Sequence, residues 1–197
     1  MRRLALAAIL TAVTAISVAA QSAGQPTFVI GDRWKNSNGG EAQVIKVNDT
    51  GVVMVRPKSR CPTCSWVYDR DLTLVQILDA EGKPTDTSKF RFLWIGFKFL
   101  DFPLEVKKTW SVEGYALFSG DHVLCIVTSR VSALEDVKTK AGNFQAYRID
   151  RVFLARVHSG VPPSWKDTIW YAPDVKAVVK FEGSTQGWEL ESRTLSQ

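Results

Sequence analysis

The sequence is poor in the side chains that most often run reactions: its 197 residues hold two histidines and three cysteines. A Ser-His-Asp triad needs a histidine within reach of its nucleophile. His122 follows Asp121 beside a strand and His158 precedes Ser159-Gly160 in a loop, so neither stands in such a setting. No Gly-x-Ser-x-Gly elbow presents a serine. P-loop, dinucleotide fingerprint and Ca²⁺ loop are missing as well. Asp69/Asp71 and Glu135/Asp136 are carboxylate pairs of the type used in glycosidic acid–base work. Polar positions on exposed strand faces and turns account for them more simply. Basic residues are scattered, with Lys107-Lys108 and Lys138/Lys140 the densest spots, whereas nucleic acid needs a clustered basic face. The reading therefore includes no catalytic residues, no metal, no cofactor and no nucleic-acid partner.

Long apolar runs are equally scarce, and the one present opens the chain. Arg2 and Arg3 precede an uncharged stretch from Leu4 to Ala20, and Val18-Ala19-Ala20 places small residues where a signal peptidase reads. This is the pattern of a secretory leader, residues 1–20, cleaved after Ala20. The stretch sits at the lower length limit for a membrane helix, and the polar Gln21-Ser22-Ala23-Gly24-Gln25 behind it favours removal. No cysteine follows it to carry a lipoprotein anchor. The strongly apolar core fits general export better than the twin-arginine route. Phe90 to Leu104 is aromatic, but Arg91, Lys98 and Asp101 interrupt it. The mature chain is thus expected to be soluble, without a transmembrane span, in the periplasm or outside the cell. Losing residues 1–20 lowers Lys+Arg from 25 to 23 against 20 acids, and the net charge from +5 to +3.

Helical periodicity is the third absence: no long stretch repeats apolar residues at i, i+3, i+4 and i+7 between caps. Strand patterns take its place. Gln43 to Val47 and Val52 to Val55 flank the turn cluster Asn48-Asp49-Thr50-Gly51 and read as a hairpin. Trp66 to Leu74 alternates as one strand. So do Phe90 to Trp94, Trp110 to Phe118 and Trp188 to Arg193. Val123 to Val131 reads as a well-buried strand. Val137 to Thr139 and Phe144 to Val157 flank the turn Lys140-Ala141-Gly142-Asn143, and Thr168 to Ala172 and Ala177 to Glu182 flank Pro173-Asp174. Asp79 to Lys89 and Ser159 to Pro163 are the long loops. Nine to eleven short strands in this rhythm predict an all-β fold, an antiparallel barrel or strongly curved half-barrel sheet. Residues 21–30 form an N-terminal extension and 31–197 a single β-rich domain. At 45% hydrophobic the chain is ordinarily globular. Its length suffices to bury about 70% of the unfolded surface without a metal or disulfide framework.

Cys61-Pro62-Thr63-Cys64 is the sharpest local feature. A redox dithiol wants a helix after the motif to lower the first thiol's pKa, and a metal site wants two further ligands at close spacing. Ser65-Trp66-Val67-Tyr68 reads as strand instead, and Cys125, His122 and His158 form no second pair. In an oxidising compartment the favoured reading is a disulfide closing a tight loop between two strands. Cys125, amid Val123-Leu124-Cys125-Ile126-Val127, reads as a buried free thiol packing as a small hydrophobe. Seven Trp and ten Phe either fill the sheet's interior or line a cavity. If a cavity exists, Trp66, Trp94, Trp110 and Trp170 are the candidates to line it, with packed-core tryptophan the plainer alternative.

Several blocks recur in a familiar order: Gly31-Asp32-Arg33-Trp34, Trp66-Val67-Tyr68-Asp69-Arg70-Asp71-Leu72-Thr73-Leu74-Val75, Phe102-Pro103-Leu104-Glu105-Val106-Lys107-Lys108-Thr109-Trp110, Ala141-Gly142-Asn143-Phe144-Gln145-Ala146-Tyr147-Arg148-Ile149, and Ile169-Trp170-Tyr171-Ala172-Pro173-Asp174-Val175-Lys176-Ala177-Val178-Val179-Lys180. Over roughly residues 31–182 the chain resembles the TapB-like group, secreted bacterial β-rich proteins of unknown function. The resemblance implies an exported, mostly antiparallel β domain and transfers no catalytic residue. Glycine often stands there in place of Lys107 and near Lys176, so those two turns are expected to differ; the Cys61/Cys64 pair lies outside the pattern. The resulting expectation is a non-catalytic envelope protein that binds a protein partner or an apolar ligand on its curved sheet. A thiol–disulfide oxidoreductase using Cys61 and Cys64 is the alternative, and a purely structural assembly subunit a third class.

Overall fold

A computed structural model describes residues 22–57, 59, 61–90, 92–118, 121–156 and 163–197. The expected leader, residues 1–20, and His158 lie outside them. Twelve strands run through the described residues: β1 (Arg33–Asn36), β2 (Glu41–Asn48), β3 (Gly51–Val55), β4 (Ser65–Asp69), β5 (Leu74–Leu78), β6 (Phe92–Trp94), β7 (Thr109–Phe118), β8 (Asp121–Thr139), β9 (Gly142–Ala155), β10 (Ser164–Ala172), β11 (Ala177–Gly183) and β12 (Gly187–Thr194). The only helical pieces among them are two 3₁₀ turns, Thr87–Lys89 and Pro173–Val175. Every named strand pairing is antiparallel, and the order across the sheet is β5-β4-β3-β2-β1-β12-β11-β10-β9-β8-β7-β6. The expected all-β barrel-like sheet is what the chain forms, nearly closed.

This order has a geometric consequence. The first and last strands pair in the middle, so the two free edges are β5 and β6, which follow one another in sequence. The segment after β6 brings those edges together. Gly96 N donates to Leu74 O at 2.8 Å. Leu93 of β6 and Leu117 of β7 pack with Trp66, Leu74 and Ile77 of β4 and β5. Lys98 Nζ reaches Asp71 Oδ2 at 2.9 Å in the β4–β5 turn and also pairs with Asp101, which Lys108 joins at 2.9 Å. An open edge is a template for unwanted pairing, and this seam covers both.

The middle of the sheet is pinned by a buried carboxylate. Asp32, fully buried, accepts from Val29 N at 3.0 Å and Ser196 N at 2.8 Å and pairs with Lys176 Nζ at 3.0 Å. One side chain thus ties the residues just before β1, the residues after β12 and the β10–β11 connection together.

Strand limits depart from the sequence reading in places, and β1 is a strand that reading does not include. Trp66 to Leu74 is two strands, because Asp69 Oδ1 accepts from Asp71 N and Thr73 N and turns the chain, with Leu72 at φ 60°. The segments read as Val123 to Val131 and Val137 to Thr139 are parts of one 19-residue strand, β8. A register shift between Val131 and Ala133 breaks the alternation that would have shown its continuity. The β2–β3 hairpin forms as expected, with Asn48 Oδ1 accepting from Thr50 N and Gly51 N. Gly51 is required there: a Cβ would stand 1.9 Å from Tyr68 O on β4. Lys107 and Lys176 take positive φ, 80° and 58°, so both turns keep the left-handed backbone that glycine favours despite carrying lysine.

The ionised seam pair makes a testable statement. Hydrogen bonds donated to Asp101 and then Asp71 hold the Lys98 ammonium well above its usual range. Burial pushes the Asp101 carboxyl up, but hydrogen bonds from Lys98 and Lys108 outweigh it and leave the group below its usual value. The raised lysine stabilises fully below its reference value of 10.5 and loses that contribution as pH rises beyond it. The lowered acid stabilises above 3.8 and loses that as pH falls below it. Lys98 is partly exposed, so Lys98→Ala is expected to cost no more than about 1 kcal/mol. Thermal midpoints across pH should show a constant gap to the wild type at neutral pH, closing below pH 3.8 and above pH 10.5.

Candidate functional site

The concave face of the sheet leaves a chamber of about 470 Å³. Strand alternation points Trp34 of β1, Ala42 of β2, Met54 of β3, Trp66 and Tyr68 of β4 and Trp188 of β12 toward it. Cross-strand register puts these residues opposite one another: Trp34 faces Ala42, and Met54 faces Trp66. The volume falls within the roughly 300–1,000 Å³ of small-molecule sites. The wall is mainly apolar and carries the cations Arg56, Arg151 and Lys176.

A second cavity of about 250 Å³ adjoins it and shares Trp94, Phe99, Arg151 and Phe181 with it. Its wall is more polar, with Lys166, Asp167, Ser184 and Gln186. At the shared wall Arg151 is clamped by its cross-strand neighbour Asp167, Nε to Oδ1 at 2.6 Å and Nη2 to Oδ2 at 2.9 Å. Both side chains are about nine-tenths buried. The guanidinium lies 4.7 Å from the Phe99 ring centre and 5.3 Å from that of Phe153. Phe153 stacks on Trp165 at 5.2 Å, and Trp94 sits edge-on to Phe97 at 4.7 Å. A bidentate, stacked arginine in an apolar wall is held in one geometry.

The four tryptophans named from sequence separate into two pairs. Trp66 and Trp94 line the chamber. Trp110 donates its indole N–H to Lys98 O at 2.9 Å and packs near Leu100 and Leu104, in the core beneath the seam. Trp170 donates to Glu135 Oε1 at 2.7 Å, with Lys180 and Arg148 over its ring at 4.8 and 5.8 Å. Trp170 and Tyr171 do point to opposite faces, but both are buried rather than one being partly exposed, because Glu135 and the two cations roof Trp170. Sequence reasoning missed Trp34, Trp188 and Arg56 of the chamber wall, and above all Arg151. Its signal was the Arg151/Asp167 pair on neighbouring strands, visible only once the β9–β10 register is known.

The remaining candidates have structural settings. Cys61 and Cys64 are joined, their Cα atoms 5.3 Å apart, and Cys64 is fully buried beside Trp66, Leu74 and Phe90. A strand, β4, follows the pair. Cys125 is free and buried, and burial pushes its thiol pKa up against a backbone hydrogen bond involving Ala116. His122 is exposed at the start of β8. Asp71 is engaged by Lys98 and Gln25, and Glu135 by Trp170. Among the described residues no three of His, Cys, Asp and Glu gather as a metal site would require.

No protein-family model and no curated protein matches the chain. Solved structures are similar to it, three of them as follows. The hypothetical lipoprotein YmcC from Escherichia coli (K12) aligns at TM-score 0.47 and 8% identity, over 83% of this chain and 84% of that one. A candidate lipoprotein from Parabacteroides distasonis ATCC 8503 aligns at 0.48 and 12%, over 88% and 100%. An exported-protein candidate with a YmcC-like fold from Bacteroides fragilis NCTC 9343 aligns at 0.41 and 12%, over 87% and 99%. At these values no role passes from them to this chain.

Asp167→Ala leaves the Arg151 charge buried and unpaired, and is expected to cost about 3–5 kcal/mol in denaturant unfolding. Replacing both, Arg151→Met with Asp167→Leu, should recover most of that loss. Breaking the four-residue disulfide loop with Cys61→Ser is expected to cost at most about 1–2 kcal/mol, because so short a loop constrains the unfolded chain little. A thermal melt of each variant checks both expectations.

Proposed function

We propose that this chain is an exported, non-catalytic envelope protein that receives an apolar or amphipathic small molecule inside its β-barrel. The leader pattern of residues 1–20 supports export. The observation that carries the reading is the chamber itself: in a chain with seven Trp and ten Phe, about 470 Å³ stays open on the concave face of the sheet. Such a volume, mainly apolar and walled by aromatic rings, suits a hydrophobic ligand. The oxidoreductase alternative has less support, since Cys64 is buried and a strand follows the motif. A protein partner is the second reading. On β7 to β9 the neighbouring Tyr115, Val152 and Leu154 are exposed and make an apolar outer patch.

Residues 21–197 should respond to micromolar fatty acid or lipid with a change in Trp emission, as Trp66 and Trp94 line the chamber. Ala42→Phe, which fills the chamber, should abolish the response while leaving the far-UV spectrum β-rich. Silence of the wild type toward a whole lipid panel would overturn the reading and turn attention to the outer patch.

A further inference from the structure

We infer that the chamber takes a single-chain amphiphile with an anionic head group, and that Arg56 at its mouth receives the head. The inference rests on the binding reading above and adds the polarity of the ligand. Among the described residues the chamber is lined by three cations, Arg56, Arg151 and Lys176, and by no carboxylate. Two of the three charges are already met from behind the wall. Arg151 is held by Asp167 at 2.6 and 2.9 Å, and Lys176 by the buried Asp32 at 3.0 Å. Arg56 differs. It has no carboxylate partner among the described residues, and its guanidinium lies 5.1 Å from the centre of the Trp66 ring.

Its place in the chain explains its place in the site. Met54 of β3 is buried against the chamber, and Arg56, two residues on and just past the strand end, is exposed. The side chain therefore stands at the rim, where the apolar wall meets water. The guanidinium lies over the Trp66 ring, and among the described residues no carboxylate takes up its N–H groups, which suit a carboxylate or phosphate monoester. One water occupies about 30 Å³ in the liquid and a methylene is of similar size, so the chamber has room for an alkyl chain of roughly fifteen carbons. A lipid with two tails exceeds it.

Calorimetric titration with laurate, dodecyl phosphate and 1-dodecanol tests this, on the wild type and on Arg56→Gln, in low and high salt. The wild type should bind both anions about fivefold tighter than the alcohol at low salt, the range of one exposed charge pair. High salt should shrink that margin. Arg56→Gln should level the three compounds. Equal affinities in the wild type, or an anion preference that survives Arg56→Gln, would overturn the inference while leaving the binding reading standing. Failure of all three compounds to bind would remove the binding reading, and this inference with it.

Discussion

Everything in this molecule depends on the seam between β5 and β6. A sheet whose first and last strands pair at its centre necessarily carries its two free edges side by side. Left apart, they would expose backbone donors and acceptors along both edges and open the aromatic face to water. The chain closes the gap with the residues that directly follow β6. Gly96 bonds across to Leu74, and Lys98 bridges to Asp71. Beneath them Leu93 and Leu117 join the apolar cluster of β4 and β5. No single contact is strong; the closure works because a backbone bond, an ion pair and a buried cluster coincide.

Closure gives the aromatic side chains two distinct settings. Beyond one end of the chamber they pack against each other: Phe97, Cys125, Val127 and Phe153 form a filled core with Trp94 at its margin. Over β1 to β4, Trp34, Trp66 and Tyr68 wall a space instead. The buried Arg151–Asp167 pair marks the boundary between the chamber and the adjoining cavity. An ion pair in such a place is weak evidence for stability. It fixes which side chains face the chamber and neutralises a charge that would otherwise dominate its floor.

Much of the fold was legible in the residues. Period-2 alternation located most strands, and turn clusters such as Asn48-Asp49-Thr50-Gly51 located their joints. The failures have local causes. Asp69 outbids the strand pattern by capping a turn with its own carboxylate, and a register shift in β8 hides the continuity of a long strand. The site was less legible. Trp66 and Trp94 turn to the chamber while Trp110 and Trp170 satisfy their indoles elsewhere, a difference set by partners distant in sequence: Lys98 for Trp110 and Glu135 for Trp170. Arg56 and Arg151 look alike as residues. The register of β9 against β10 shows that the Arg151 charge is met, whereas Arg56 has no carboxylate partner among the described residues.

The closed seam is tested most directly by hydrogen exchange at the Gly96 amide, measured in the free protein at neutral pH. Bonded to Leu74 across the two edges, this amide should exchange as slowly as amides inside neighbouring strand ladders. Exchange at the rate of an open loop would mean that the edges do not meet and that the space between the rings is a groove in an open sheet.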